Sequence, residues 1–322
     1  MQSGNQIAAL QADPGLQIAA QDGLLAALAR WKAADEVAAV LTQFEKFSGG
    51  AALPDLPSLA ALFGGEHAEA ARAFVAPLLA AWSQCLVKEL FGVVPMRHHA
   101  GAHMATLMLA QAGGCMLNLV AIDGVKLAGS QLACSASFAP AEVWEVVLQG
   151  SGSGRLIERS GTTITTHPLT LAPGLALGRE AERECLLIDG AAGALLMLRL
   201  QRRHHTTSPR REYALDDGRL LRQASATPAE SRHEVAVALL GRMGRTDAGP
   251  LFAEIARDEG HGDSLRWQAL RECLALDTRT GFWTLTAIAR AGSDSLAVPA
   301  GALRAQLLES YPQLAEVELC HA

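Results

Sequence analysis

Hydrophobic residues fall at helical spacing in the first part of the chain, at strand spacing in the middle, and at helical spacing again toward the end. From Asp22 to Phe47 the apolar positions Leu24, Leu25, Leu28, Trp31, Ala38, Leu41 and Phe44 predict an amphipathic helix, stopped by Ser48-Gly49-Gly50. Pro54 and Pro57 mark a connector, Ser58 caps a short helix through Phe63, and a second strong helix runs from Glu66 to Leu90. That helix carries Pro77, which predicts a kink. From Val93 the period shortens. Ala105–Ala110 and Met116–Ile122, joined across Ala112-Gly113-Gly114, read as a hairpin. Further strands are expected over 131–138, 143–149, 155–159, 162–166, 183–188, 194–201 and 211–215, with Gly150-Ser151-Gly152-Ser153-Gly154, Pro173-Gly174 and Asp189-Gly190 as turns. The Gly-Ser run precedes a strand and not a helix, so it does not read as a phosphate loop.

From Pro228 the chain is helical again and repeats itself at a period of about 34 residues. Arg232 aligns with Arg266, Leu240 with Leu274, Arg245-Thr246 with Arg279-Thr280, and Leu251 with Leu285. The pattern resembles HEAT-type helical repeats, which implies helical hairpins and a surface for a protein partner. The expected fold class is α+β. Its parts are a helical N-terminal segment (1–91), a central antiparallel β-sandwich (92–222) and C-terminal helical hairpin repeats (223–322).

Ser135-Ala136-Ser137-Phe138-Ala139-Pro140-Ala141-Glu142 has the spacing of His-x-His-x4-Glu with serine at both histidine positions. Val147-Leu148-Gln149-Gly150 follows like the strand and turn after that motif, and Pro173-Gly174 is similar to the turn of a second motif that lacks its histidine. Over about residues 93–215 the chain therefore resembles a cupin, a β-sandwich of jelly-roll type. The resemblance implies that Ser135, Ser137 and Glu142 occupy the positions of the first metal-ligand set. Serine is a poor ligand for transition metals beside imidazole, so the expected sandwich holds no cofactor and takes a small organic ligand at these positions.

Two other clusters carry chemistry. His98, His99 and His103 lie close together at the entry to the first strand. They serve either as polar caps of the sheet, as ligands of iron or another divalent metal with Glu142 or Glu145 as the carboxylate, or as acid–base and ligand-binding groups. Arg199, Arg202, Arg203, Arg210 and Arg211, with His204 and His205 among them, form a basic stretch. Guanidinium pairs bidentately with carboxylate or phosphate, so Arg202, Arg203, Arg210 and Arg211 are candidates for an anionic ligand, or for solvated hairpin residues.

Composition narrows the classes. The chain is 50% hydrophobic and 19% charged, with a formal net charge of -6, which predicts a globular protein and opposes nucleic acid or an anionic membrane as partner. The first residues lack a basic and apolar leader pattern, and the apolar run from Ala68 to Val87 is broken by Arg72, Pro77, Ser83 and Gln84, so neither a leader nor a membrane span is expected. Cys85, Cys115, Cys134, Cys185, Cys273 and Cys320 are scattered, which reads as buried reduced thiols of a cytoplasmic protein. Asp258-Glu259-Gly260-His261-Gly262-Asp263 reads as a solvated loop, and nucleophile-elbow, zincin and Walker motifs are absent. The expected function is a binding or scaffold protein with a metal-free sandwich, a small anionic ligand and a protein partner at the repeats. The alternative is a non-haem, oxygenase-like enzyme built on His98, His99 and His103.

Overall fold

The computed structural model describes residues 15–64, 68–88, 92–161, 163–204, 208–225 and 227–319. The ends of the expected Glu66–Leu90 helix, His205 and Cys320 lie outside the described residues. The chain forms two compact units, residues 1–136 with 141–204 and residues 137–140 with 205–322.

The first unit opens with α1 (Gly15–Ala33), α2 (Asp35–Ser48), the short α3 (Pro57–Ala60) and α4 (Glu69–Lys88). The long helix expected over 22–47 is thus two helices. The break falls at Ala34, whose backbone is extended (ψ 133°). Asp35 and Glu36 then sit in the first turn of α2, where carboxylates complement the exposed N–H groups. Two indoles tie the helices together: Trp31 Nε1 donates to the Phe74 carbonyl at 2.7 Å, and Trp82 Nε1 to the Leu24 carbonyl at 3.1 Å. By length and composition α4 could cross a membrane. In this fold its Ala71, Phe74, Leu78 and Trp82 are buried among the other helices and the sheet. Pro77 lies within α4 on an exposed side.

The strands are β1 (His98–Ala100), β2 (Met104–Ala112), β3 (Cys115–Asp123), then α5 (Gly124–Ala128), β4 (Ser135–Phe138), β5 (Ala141–Gln149), β6 (Gly152–Ser160), β7 (Thr163–Leu171), β8 (Ala176–Glu180), β9 (Glu184–Ala191) and β10 (Ala194–Arg203). A six-stranded antiparallel sheet runs in the order β1-β2-β3-β10-β5-β8, and a three-stranded sheet in the order β7-β6-β9. One face of the larger sheet, with Leu117, Leu119, Val146, Leu148, Leu198 and Leu200, shares a single buried core with the N-terminal helices. The opposite face, with Val120, Ile122, Val147, Leu195 and Met197, packs on Leu169, Leu171, Leu186 and Ile188 of the smaller sheet. Burial on both faces explains why β5 and β10 read as continuous apolar runs and not as clean alternation.

Asp123-Gly124 is a dipeptide common in turns, yet it starts α5, because the Asp123 carboxylate accepts from the N–H groups of Val125 and Lys126 and caps a helix. The Gly-Ser run also differs from expectation: only Gly150 and Ser151 turn, while Gly152 and Gly154 are already in β6. Gly150 has φ +87°, and a Cβ there would stand 2.2 Å from the Ala194 carbonyl oxygen, so both conformation and space require glycine.

The second unit contains β11 (Arg210–Ala214) and β12 (Leu220–Ala224), which lie beside the Ser137-Phe138 end of β4. Phe138 meets Tyr213 edge to face with centroids 5.9 Å apart. Helical pairs follow: α6 (Pro228–Arg242) with α7 (Gly249–Arg257), then α8 (Asp263–Leu276) with α9 (Thr278–Arg290), then α10 (Ala297–Ser310) and α11 (Ala315–Leu319). Thr227 caps α6 and Asp277 caps α9 through their side-chain oxygens. Phe252, Ala256, Leu265, Leu270, Phe282, Leu285 and Ile288 form the core.

The matched repeat positions are not equivalent in packing. Leu285 is buried while Leu251 is 52% exposed, and Arg266 is buried while Arg232 is exposed. Arg266 Nε donates to the Ala256 carbonyl at 3.1 Å, and its guanidinium pairs with Asp294 at 2.5 Å. The five described cysteines are free. Cys115 and Cys273 are buried, and burial pushes the Cys273 thiol up to about 11, whereas Cys134 is exposed, contrary to expectation.

Candidate functional site

Strand β10 sorts its side chains by the pleat. Leu198, Leu200 and Arg202 face the helices, and Met197, Arg199, Gln201 and Arg203 face the inside of the sandwich. The register extends the inner row across the sheet: Arg199 is opposite Asn118 of β3 on one side and Glu145 of β5 on the other. Arg179 of β8 stands opposite Val143, on the same inner face.

Glu145 is the centre of this row and is 1% exposed. One carboxylate oxygen accepts from Arg179 Nε at 3.1 Å and Nη2 at 2.8 Å. The other accepts from Arg199 Nε at 2.6 Å and lies 2.5 Å from its Nη2. Arg179 also donates to the Glu184 carbonyl at 3.2 Å. Burial alone would push the Glu145 carboxyl up, but the charges and hydrogen bonds of Arg199 and Arg179 outweigh it and hold the group below the ordinary carboxylate value. The group is therefore one anion between two cations. Arg179 is nearly buried, whereas the Arg199 side chain is 27% exposed and its Nη1 has no hydrogen-bond partner among the described residues.

Around this centre the inner face carries spare hydrogen-bonding groups. Asn118, Gln201 and Arg203 are half-buried. Among the described residues none of the three side chains makes a hydrogen bond or ion pair, and Arg203 Nε is fully shielded without a partner. Unmatched donors in a partly dry interior are costly unless something accepts from them. The same set disfavours a bare cation, because the carboxylate here is already flanked by two guanidinium groups.

The residues chosen from sequence are placed differently. Glu142 faces the helices and pairs with Arg202, whose guanidinium also donates to the Phe47 and Ala51 carbonyls and lies 4.1 Å over the Phe47 ring. This pair fastens the sheet to α2 and does not enter the sandwich. Ser135 and Ser137 are half-buried in β4, and Ser137 accepts from Arg210 Nε at 2.8 Å. Arg211 donates to Gln223 at 3.3 Å across the β11–β12 pair. Of Arg202 and Arg203, only Arg203 lies on the inner face, while Arg210 and Arg211 belong to the second unit.

The histidines do not converge. His98 and His99 are adjacent in β1 and so point to opposite faces, and both are exposed. His98 Nδ1 is 2.9 Å from the Met96 carbonyl, and His103 Nδ1 is buried without a partner among the described residues. Among the described residues no three His, Cys, Asp or Glu side chains come together in a metal-binding arrangement. Arg179 and Asn118 escaped the sequence reading because neither belongs to a local cluster.

No family model and no curated protein matches the chain. Solved structures similar to it include a sugar phosphate isomerase of the cupin superfamily from Silicibacter pomeroyi DSS-3, 13% identical, with a TM-score of 0.26 over 38% of this chain and 78% of that one. Another is a cupin superfamily protein from Desulfitobacterium hafniense DCB-2, 13% identical, with a TM-score of 0.24 over 33% of this chain and 83% of that one. A 7S globulin from Momordica charantia is 12% identical, with a TM-score of 0.28 over 36% of this chain and 34% of the globulin. The chain itself is α+β, with antiparallel sheets at its centre and helices on either side of them in the sequence.

Proposed function

We propose that this is a binding protein whose sandwich takes a small anionic ligand, a carboxylate or phosphate, without a metal. The observation that carries this is the buried Glu145 carboxylate shared by Arg179 and Arg199, with the unpartnered donors of Arg203, Gln201 and Asn118 on the same face. Glu145 fixes the two guanidinium planes, and Arg199 turns its free Nη1 to the ligand. A bidentate oxyanion there gains charge-assisted bonds. An iron or other divalent-metal enzyme on His98, His99 and His103 has no such support, since His98 and His99 point to opposite faces of an edge strand and His103 lies in the turn that follows it.

Calorimetric titration with inorganic phosphate and a panel of di- and tricarboxylates tests the reading. Binding is expected for at least one anion, and Arg199→Met is expected to weaken it by about tenfold or more. Equal affinity in Arg199→Met and wild type overturns the reading, as does the absence of heat for the whole panel.

The interaction surface expected of the helical pairs remains part of this reading. It is supported by Val235 and Leu239 of α6 and Met243 at its C-cap, which are 66%, 56% and 60% exposed and follow one another at four-residue steps. Leu239→Glu is expected to abolish association with a protein that the intact chain retains in solution. A partner retained equally by both forms overturns this half.

A further inference from the structure

A pocket of about 620 Å³ opens in the second unit between α8, α10 and the turn after α10. Its size falls in the range of small-molecule sites. Leu274 and Trp267 of α8 form one wall, and Leu303 and Leu307 of α10 form the other. The polar groups stand at the margin: Arg271 of α8, and Tyr311, which is 54% exposed. Among the described residues Arg271 makes no hydrogen bond or ion pair, and neither the Trp267 indole N–H nor the Tyr311 hydroxyl has a partner.

We propose that this pocket binds an amphipathic organic acid, a single carboxylate on an aliphatic body. The apolar walls would take the chain, with each buried methylene contributing by the hydrophobic effect. The carboxylate would sit on the Arg271 guanidinium, which presents a planar fork of donors. Charge complementarity selects the occupant. A neutral lipid leaves Arg271 unmatched, and an amine is repelled by it. The walls and rim all come from the helical unit, so this site is independent of the arginine–glutamate row in the sandwich.

Titration of the full chain with octanoate, octan-1-ol and octylamine tests the proposal. Octanoate is expected to bind, with octan-1-ol weaker by about tenfold and octylamine weaker still. Arg271→Gln is expected to remove the preference of octanoate over octan-1-ol, and Leu303→Trp, which fills the pocket, to remove binding of both. Circular dichroism confirms that each variant remains helical. Arg199→Met is expected to leave octanoate binding unchanged, which separates this site from the sandwich reading. The proposal is overturned if octanoate and octan-1-ol bind equally, if octanoate gives no signal at about 1 mM, or if Leu303→Trp binds octanoate like wild type. Binding of a peptide ending in a free leucine carboxylate more tightly than octanoate overturns it in favour of a protein terminus.

Discussion

Glu145→Gln is expected to lower the unfolding free energy by about 3–5 kcal/mol. The glutamine keeps the shape and one acceptor but removes the anion shared by Arg179 and Arg199, leaving two cations close together in a largely dry interior. Urea denaturation at neutral pH measures the loss, and a change of under about 1 kcal/mol would show that water already screens the pair. Acid gives a second signature. The folded Glu145 carboxyl is held below its unfolded value of about 4.3, so its contribution is complete above that value and disappears as pH falls through the lower folded value. The wild type is expected to lose stability along this limb, and Glu145→Gln to lack that part of it. Replacing Arg179, Glu145 and Arg199 together by apolar residues of similar volume is expected to recover most of the loss, because the cost lies in unpaired charge.

Arg266→Met carries the second large effect, in the other unit. The side chain is 2% exposed and holds Asp294, itself 3% exposed, as well as the Ala256 carbonyl. Removing it leaves a buried carboxylate and a buried acceptor unmatched, at an expected cost of about 3–5 kcal/mol. The loss should appear as faster amide hydrogen exchange in α8 and α9, and not in β5 and β10. A double-mutant cycle with Asp294→Asn checks the cause. Coupling below about 0.5 kcal/mol would mean that the two side chains are held by their neighbours independently.

Local signals in the sequence carried the elements further than the site. The β2–β3 hairpin, β5, β9 and β10 follow from apolar runs bounded by glycine, and the helical ends follow from period and caps. Strands β1, β8 and β12 are short and mixed in polarity, so no run of apolar residues marks them. Motif spacing placed the key carboxylate at Glu142, whereas the pleat puts Glu142 and Glu145, three apart, on opposite faces. Glu142 reaches the helices and Glu145 the interior. Two glutamates at an odd separation in the otherwise apolar stretch from Ala141 to Leu148 are a visible sign that one is buried. Which one was decided by Arg179 and Arg199, whose approach depends on the order β10-β5-β8 and is not encoded locally. The repeat was legible as a period but not as packing, because Leu251 and Leu285 sit on differently covered faces of their helices.

The way the chain is divided has a consequence for synthesis. Residues 137–140 belong with the second unit although first-unit residues flank them on both sides, and the rest of that unit begins only at residue 205. A chain emerging from the ribosome folds from its N-terminal side. It can form the N-terminal helices and the β2–β3 hairpin early, but the Ser137-Phe138 edge must wait, unpaired, for Arg210–Ala214 to emerge. Throughout that interval an apolar strand edge is available to the wrong neighbour. The nascent chain is therefore most exposed to mispairing between the synthesis of β4 and that of β11, and a pause in that window would be more damaging than one after residue 225.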